Sequence, residues 1–227
     1  MTAPHSSPTD TPLRNGAPAT RLQVSGLECR RGERTLIRGL TFAVHPGQIV
    51  WLRGANGQGK TTLLRTLAGL TAPEAGEIHW ADASSPPPFL YLAHANALKD
   101  DLTATESLRF LLRLSASTAA PAALDQALDE ALDRFGLASR RHAPVRTLSQ
   151  GQRRRVALAR LAVRPTADTW LLDEPFDALD VGGVDTLNAL LAAHAAVGGS
   201  VVLTSHVPLA IAAPVPFVVT LESTVAA

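Results

Sequence analysis

Cysteine is nearly absent from this chain. Cys29 is the only one in 227 residues, so no intrachain disulfide can form, which fits a reducing compartment. Lysine is almost as scarce: Lys60 and Lys99 are the only two, and every other basic side chain apart from histidine is arginine. A chain that avoids lysine and keeps one at a particular spot invites a chemical reason there. No run of about 18 apolar residues occurs, so no transmembrane helix is expected. The longest near-apolar stretch, residues 207–220, is broken by Pro208, Pro214 and Pro216 and reads as short buried elements. Formal net charge is only +1, which excludes a field-scale attraction to nucleic acid or to an anionic membrane and leaves room for a local basic patch. Residues 1–20 lack an apolar h-region and are rich in Pro, Ser and Thr, so a disordered tail is expected there and not a secretory signal.

What is present is enough apolar residue, 46%, for one sizeable core. Residues 22–24 and 41–44 read as strands, with a polar turn around Gly32 and Glu33 between them. The apolar run 48–53 predicts a strand that ends at a glycine-rich loop. Residues 61–70 then show helical spacing of Leu63, Leu64 and Leu67, with Gly69 placed to stop the helix. "SSPPP" at 84–88 reads as a loop and "FLYLA" at 89–93 as another strand. Helices are expected over 105–114, 121–135 and 151–163, the last ended by Pro165. Strands are expected at 169–172 and 200–204, with a helix over 184–196 between them. Alternating strands and helices predict a mostly parallel sheet, and the helical block in the middle reads as an insertion.

The loop "GANGQGKT" matches G-x-x-x-x-G-K-[ST] between a predicted strand and a predicted helix. Gly54, Gly57 and Gly59 let the backbone curl so that its N–H groups, including those of Ala55, Asn56, Gln58 and Thr62, can face phosphate oxygens. The positive end of the following helix adds to this. Lys60 is the mobile charge for the β- and γ-phosphates, and the Thr61 hydroxyl can meet Mg²⁺. Downstream, "TWLLDEP" is an apolar strand that ends in two acids. The carboxyl ends of parallel strands are where ligands bind. Asp173 is therefore the candidate for Mg²⁺, and Glu174 for the attacking water.

With these pieces in order, the chain resembles the ATP-binding subunits of ABC transporters. "LSQGQ" (Leu148, Ser149, Gln150, Gly151, Gln152) is similar to the family signature LSGGQ, with Gln150 in place of its first glycine. "DALD", ending at Asp180, resembles the D-loop, and "TSH", ending at His206, resembles the switch histidine. The resemblance implies an α/β fold: a P-loop NTPase (RecA-like) core with a mainly parallel sheet, a small antiparallel β subdomain and an inserted α-helical subdomain. It divides 21–227 into a core of 21–95 and 165–222 and a helical subdomain of about 96–164. It implies ATP and Mg²⁺ as cofactors, Lys60, Glu174 and His206 as catalytic groups, and Thr61 and Asp173 as the metal ligands. It also implies a head-to-tail homodimer, in which one copy's signature closes over ATP held by the other and Asp180 connects the two sites.

Two further positions depart from the family pattern. His94 stands where a glutamine usually senses Mg²⁺, water and the partner; a neutral histidine could do the same, and a surface loop histidine is the other reading. Arg31 falls where an aromatic usually stacks on adenine; its guanidinium plane can stack on a base, or it is simply solvated. "YLAHANALKDDLTATESLRFLLRL", with Lys99 and the Thr-Ala-x-Glu helix start, is further similar to the ATPase of the cytochrome c maturation (haem exporter) family. That resemblance implies multi-spanning membrane partners and a peripheral position on the cytoplasmic face of the inner membrane. Neither nucleic-acid binding nor direct haem binding is expected. A transporter of another substrate, a nucleic-acid-associated ABC protein and a nucleotide-gated module without turnover remain the alternatives. Arg153, Arg154 and Arg155, at the start of a predicted helix, either reinforce the potential at a γ-phosphate, pair with acids across the subdomain, or are solvated.

Overall fold

A computed structural model describes residues 20–81, 89–114, 121–163 and 169–221. The expectations for the tail at 1–19, the loop at 84–88, Pro165 and the residues beyond 221 lie outside them. The chain opens with strand β1 (Leu22–Arg31), which alternates buried and open positions and seals Leu22, Val24, Leu27 and Cys29. Gly32, at φ 58°, turns it into β2 (Arg34–Val44), which pairs antiparallel with it. Both strands run much further than the sequence pattern indicates, because bulges between Val24 and Leu27 and again near Cys29 interrupt the simple alternation. A third antiparallel strand, β4 (Ala75–Trp80), lines the other side of β1. It has no counterpart in the sequence reading. Only Ile78 and Trp80 pack on the core, so its apolar signal is thin.

The second sheet is parallel, in the order β5-β6-β7-β3-β8, where β3 is Ile49–Arg53, β5 Phe89–Leu92, β6 Thr169–Leu172, β7 Ser200–Thr204 and β8 Phe217–Thr220. β6 and β7 are buried along their whole length, as central strands covered on both faces must be. The two-residue period sends Trp170, Leu172, Val201 and Leu203 to one core, and Leu171, Val202, Val50 and Leu52 to the other. Helix α1 (Lys60–Leu67) packs with the second group, and Gly69, at φ 68°, ends it with Leu70 N–H on the Arg65 carbonyl. The first group meets α5 (Val181–Ala196) and the helical block α2 (Ala104–Leu114), α3 (Pro121–Arg134) and α4 (Gln150–Val163), which enters the chain between β5 and β6. One expectation is corrected: residues 207–220 are not buried short elements. Only Val219 among them is buried; β8 is an edge strand, and the prolines leave the preceding segment lying across the surface.

Parallel strands in this order bring the loop after β3 and the turns after β6 and β7 to one edge of the sheet. That edge carries the site.

Candidate functional site

The loop after β3 curls through Gly57 at φ 81° and Gly59 at φ 93°. A side chain at Gly59 would place a Cβ only 2.9 Å from the Leu36 Cβ, so glycine is required there by both angle and space. Gly59 also caps α1 without any side-chain bond, and no acid occupies the first turn. The first N–H groups of α1 therefore stay available to an anion. Lys60, 8% exposed, donates from Nζ to the carbonyl of Gly54 at 2.8 Å and more weakly to that of Ala55. Gln58 Oε1 accepts from the Ala55 N–H and ties the loop to itself. Asn56, Gly57, Gly59, Lys60, Thr61 and Thr62 line a cavity of about 360 Å³ together with Arg31, Glu174 and His206.

Behind the cavity sits Asp173, 1% exposed. Its Oδ1 accepts from the Thr61 hydroxyl at 3.1 Å and from the Thr204 hydroxyl at 3.0 Å. Its Oδ2 is buried and, among the described residues, has no hydrogen-bond partner. A buried carboxylate oxygen without a donor is expensive unless a cation or a donor completes it. Asp173 and Thr61 supply an acid and a hydroxyl beside the cavity, the donor set that suits a Mg²⁺ held chiefly by phosphate and water. The residues present therefore fit that ion. Among the described residues no three acidic, histidine or cysteine side chains gather into an all-protein metal cage.

Glu174 has φ 46°, a left-handed conformation that costs a non-glycine residue roughly 1–2 kcal/mol. Three contacts hold it there. Its N–H donates to Thr204 Oγ1 at 2.8 Å, its carbonyl accepts from Arg154 Nη2 at 2.7 Å, and its Oε2 accepts from the His206 N–H at 3.1 Å. The His206 ring Nε2 lies 3.4 Å from Glu174 Oε1. One carboxylate thus faces the cavity with a histidine beside it, an arrangement able to hold and polarise a water.

The other residues singled out from sequence fall into place unevenly. Leu148, Ser149, Gln150, Gly151 and Gln152 do not line the cavity. Ser149 and Gln152 exchange backbone and side-chain bonds in a capping box at the start of α4, and Gly151 is forced by packing, since a Cβ there would meet the Ala178 carbonyl at 2.6 Å. Asp180 caps α5 by accepting from the Gly183 N–H at 3.0 Å. His94 is exposed, outside the cavity lining, with Nδ1 3.5 Å from Asp177 Oδ2. Arg31 does line the cavity, and Arg34 and Leu36 join it. The sequence reading missed both. The hairpin pairing that sets Arg34 opposite Arg31 would have found the first. Thr204, which bridges the backbone of Glu174 and the side chain of Asp173, received no role from sequence either; its position at the end of the strand leading to His206 was the available signal.

The three arginines separate. Arg153 pairs with Asp100 at 3.2 Å and bonds the Leu148 and Arg146 carbonyls. Arg155 bonds the Phe135 carbonyl at 3.3 Å and stands 3.9 Å from Asp180 Oδ2. Arg154 is buried at 2% exposure, and none of the three lines the cavity.

Residues 37–177 match the family model described as ABC transporter. Among relatives, the cytochrome c biogenesis ATP-binding export protein CcmA of Nitrosomonas europaea is 44% identical over 197 residues, covering 84% of this chain and 90% of that protein. Its namesake from Aromatoleum aromaticum is 46% identical over 200 residues, covering 85% and 92%, and the one from Escherichia coli O157:H7 is 46% identical over 198, covering 84% and 91%. Among solved structures, an ATP-binding subunit of an ABC transporter superposes with a TM-score of 0.72 at 26% identity, covering 83% of this chain and 80% of that one. A Pyrococcus furiosus ABC transporter ATP-binding protein superposes with a TM-score of 0.74 at 22% identity, covering 89% and 99%, a likeness of fold.

Proposed function

The chain belongs to the ABC transporter family of ATP-binding proteins, among the cytochrome c biogenesis ATP-binding export proteins, and from that premise we propose that it drives haem export and release of a haem-loaded chaperone by hydrolysing ATP. The observation that carries this is the convergence of Lys60, Thr61, Asp173, Glu174 and His206 at the ends of three parallel strands around one cavity. In the proposed reaction Lys60 leaves the carbonyls of the loop for the β- and γ-phosphates. The N–H groups at the start of α1 take the remaining phosphate charge. Bound Mg²⁺, held by Thr61 and Asp173, would supply further charge neutralisation. Glu174 orients the attacking water and His206 fixes Glu174. Phosphoryl transfer asks for this positioning more than for covalent chemistry.

Two copies act head to tail, with Ser149 and Gly151 of one facing the γ-phosphate held by the other. Multi-spanning subunits hold the pair on the cytoplasmic face of the inner membrane. No helix among the described residues is long and apolar enough to cross a membrane.

The test is Glu174→Gln in the full chain purified with its membrane subunits. ATP binding is expected to persist while turnover falls by on the order of 10²-fold or more, and the haem chaperone should accumulate in its loaded form. Unchanged hydrolysis sinks the role of Glu174. Normal chaperone release without hydrolysis, or recovery of only a free monomer from native membranes, sinks the coupling.

A further inference from the structure

Arg154 carries six hydrogen bonds and, among the described residues, no ion pair with a carboxylate. Nε donates to the Pro175 carbonyl at 3.3 Å. Nη1 donates to the carbonyls of Ala93 at 3.1 Å and His94 at 3.2 Å, and to Asn96 Oδ1 at 3.0 Å. Nη2 donates to the carbonyls of Asp173 at 3.0 Å and Glu174 at 2.7 Å. Burial pushes the guanidinium below its ordinary value, opposed by Asp177, Asp173 and Glu174, and the group stays charged. A buried cation that spends its donors on two separate loops, 93–96 and 173–175, is costly as a mere stabiliser, since apolar packing would fill the same space.

Both loops matter to the site, as the turn holding Asp173 and Glu174 and the loop holding His94, and Arg154 ties both to α4, the helix that carries it. Arg154 lies two residues beyond Gln152, on the helix whose start is the signature. Its bond to the Glu174 carbonyl is one side of the grip on that left-handed residue; Thr204 on the N–H is the other. We propose that Arg154 is a positioning residue that locks the signature end of α4 to the Glu174 turn and the His94 loop, so that the carboxylate is aligned only when that end of α4 is seated. This rests on the reading of Glu174 as the group that holds the attacking water.

The planar fork is essential to this role. A lysine keeps the charge but cannot bond both loops in this way. Arg154→Lys and Arg154→Gln are therefore both expected to lower kcat by on the order of 10-fold or more while KM for ATP stays within about threefold, because Lys60 and the loop after β3 are untouched. Asn96→Ala, which removes a single acceptor, is expected to lower kcat less, and to add nothing when combined with Arg154→Gln. The measurement is steady-state ATP hydrolysis by the full chain purified with its membrane subunits, beside thermal denaturation of each variant. Should both Arg154 variants fail to fold, Asn96→Ala decides the matter: a lower kcat at unchanged KM supports the inference, and wild-type kinetics overturns it. Folded Arg154→Lys protein with wild-type kcat, or a loss confined to thermal stability, also overturns it. If Glu174→Gln leaves hydrolysis intact, the reading of the site falls first; if Glu174→Gln abolishes it and Arg154→Lys does not lower it, the inference falls alone.

Discussion

The two oxygens of Asp173 have different company. Oδ1 accepts from Thr61 and Thr204, and Oδ2 is buried with none among the described residues. If Oδ2 faces Mg²⁺, Asp173→Asn keeps the shape and removes the charge. The expected outcome is a rise in the Mg²⁺ concentration for half-maximal hydrolysis by on the order of 10- to 100-fold, read from a Mg²⁺ titration at saturating ATP. An unchanged titration would remove Asp173 from the metal site. Glu174 and Arg154 are linked to the same turn, so residue-level effects here should not add. Lys60 was legible from sequence alone, since a scarce residue in a glycine-rich loop needs a reason. Arg154 was not: its neighbours Arg153 and Arg155 share its type and helix turn, and only burial distinguishes them.

Among the elements, α2 shows how a local motif becomes a structural joint. Thr103 Oγ1 accepts from the Glu106 N–H at 3.2 Å, and Glu106 Oε2 accepts from the Thr103 N–H at 2.9 Å. This capping box is the physical content of the Thr-Ala-x-Glu start noted in the sequence. Bonds from the Thr103 backbone and hydroxyl hold the Glu106 carboxyl below its ordinary value. A depressed carboxyl stabilises the fold above its unfolded pKa, and that contribution fades as pH falls through the folded value. Thr103→Ala is therefore expected to cost about 1 kcal/mol at neutral pH and to lose part of the acid-side dependence, as measured by urea denaturation at pH 7 and pH 4. A wild-type pH dependence in the variant would refute the cap's role. α4 is joined differently, through the Ser149–Gln152 box and the close seat of Gly151 on the Ala178 carbonyl. Its capping signal was readable. Its seat on the loop before α5 was not, because the two lie far apart in the chain.

For the whole molecule, the signature sits at a helix start outside the cavity formed by its own chain, which suits an in-trans role. Gln150→Asp tests this, since an acid at the start of α4 favours its own helix dipole but opposes a γ-phosphate brought by a neighbour. In a Glu174→Gln background the change is expected to abolish the ATP-trapped dimer by light scattering while leaving ATP affinity unchanged; a persistent dimer would refute it. The parallel sheet, the phosphate loop and the acidic pair were legible because each depends on neighbours within a few residues: apolar periodicity, glycine spacing, an acid at a strand's end. The convergence of Thr61, Asp173 and His206 came only from the family resemblance, and the part of Thr204 not at all, because strand order places β7 between β6 and β3 and no local pattern encodes that order. The same holds for β4, whose edge position asks for few apolar residues, and for β8, where prolines and exposure blurred the pattern. Short-range chemistry is written in adjacent residues. The pairing of distant strands, and the burial that picks Arg154 from three like neighbours, is settled only when the chain packs and each polar group must find its partner.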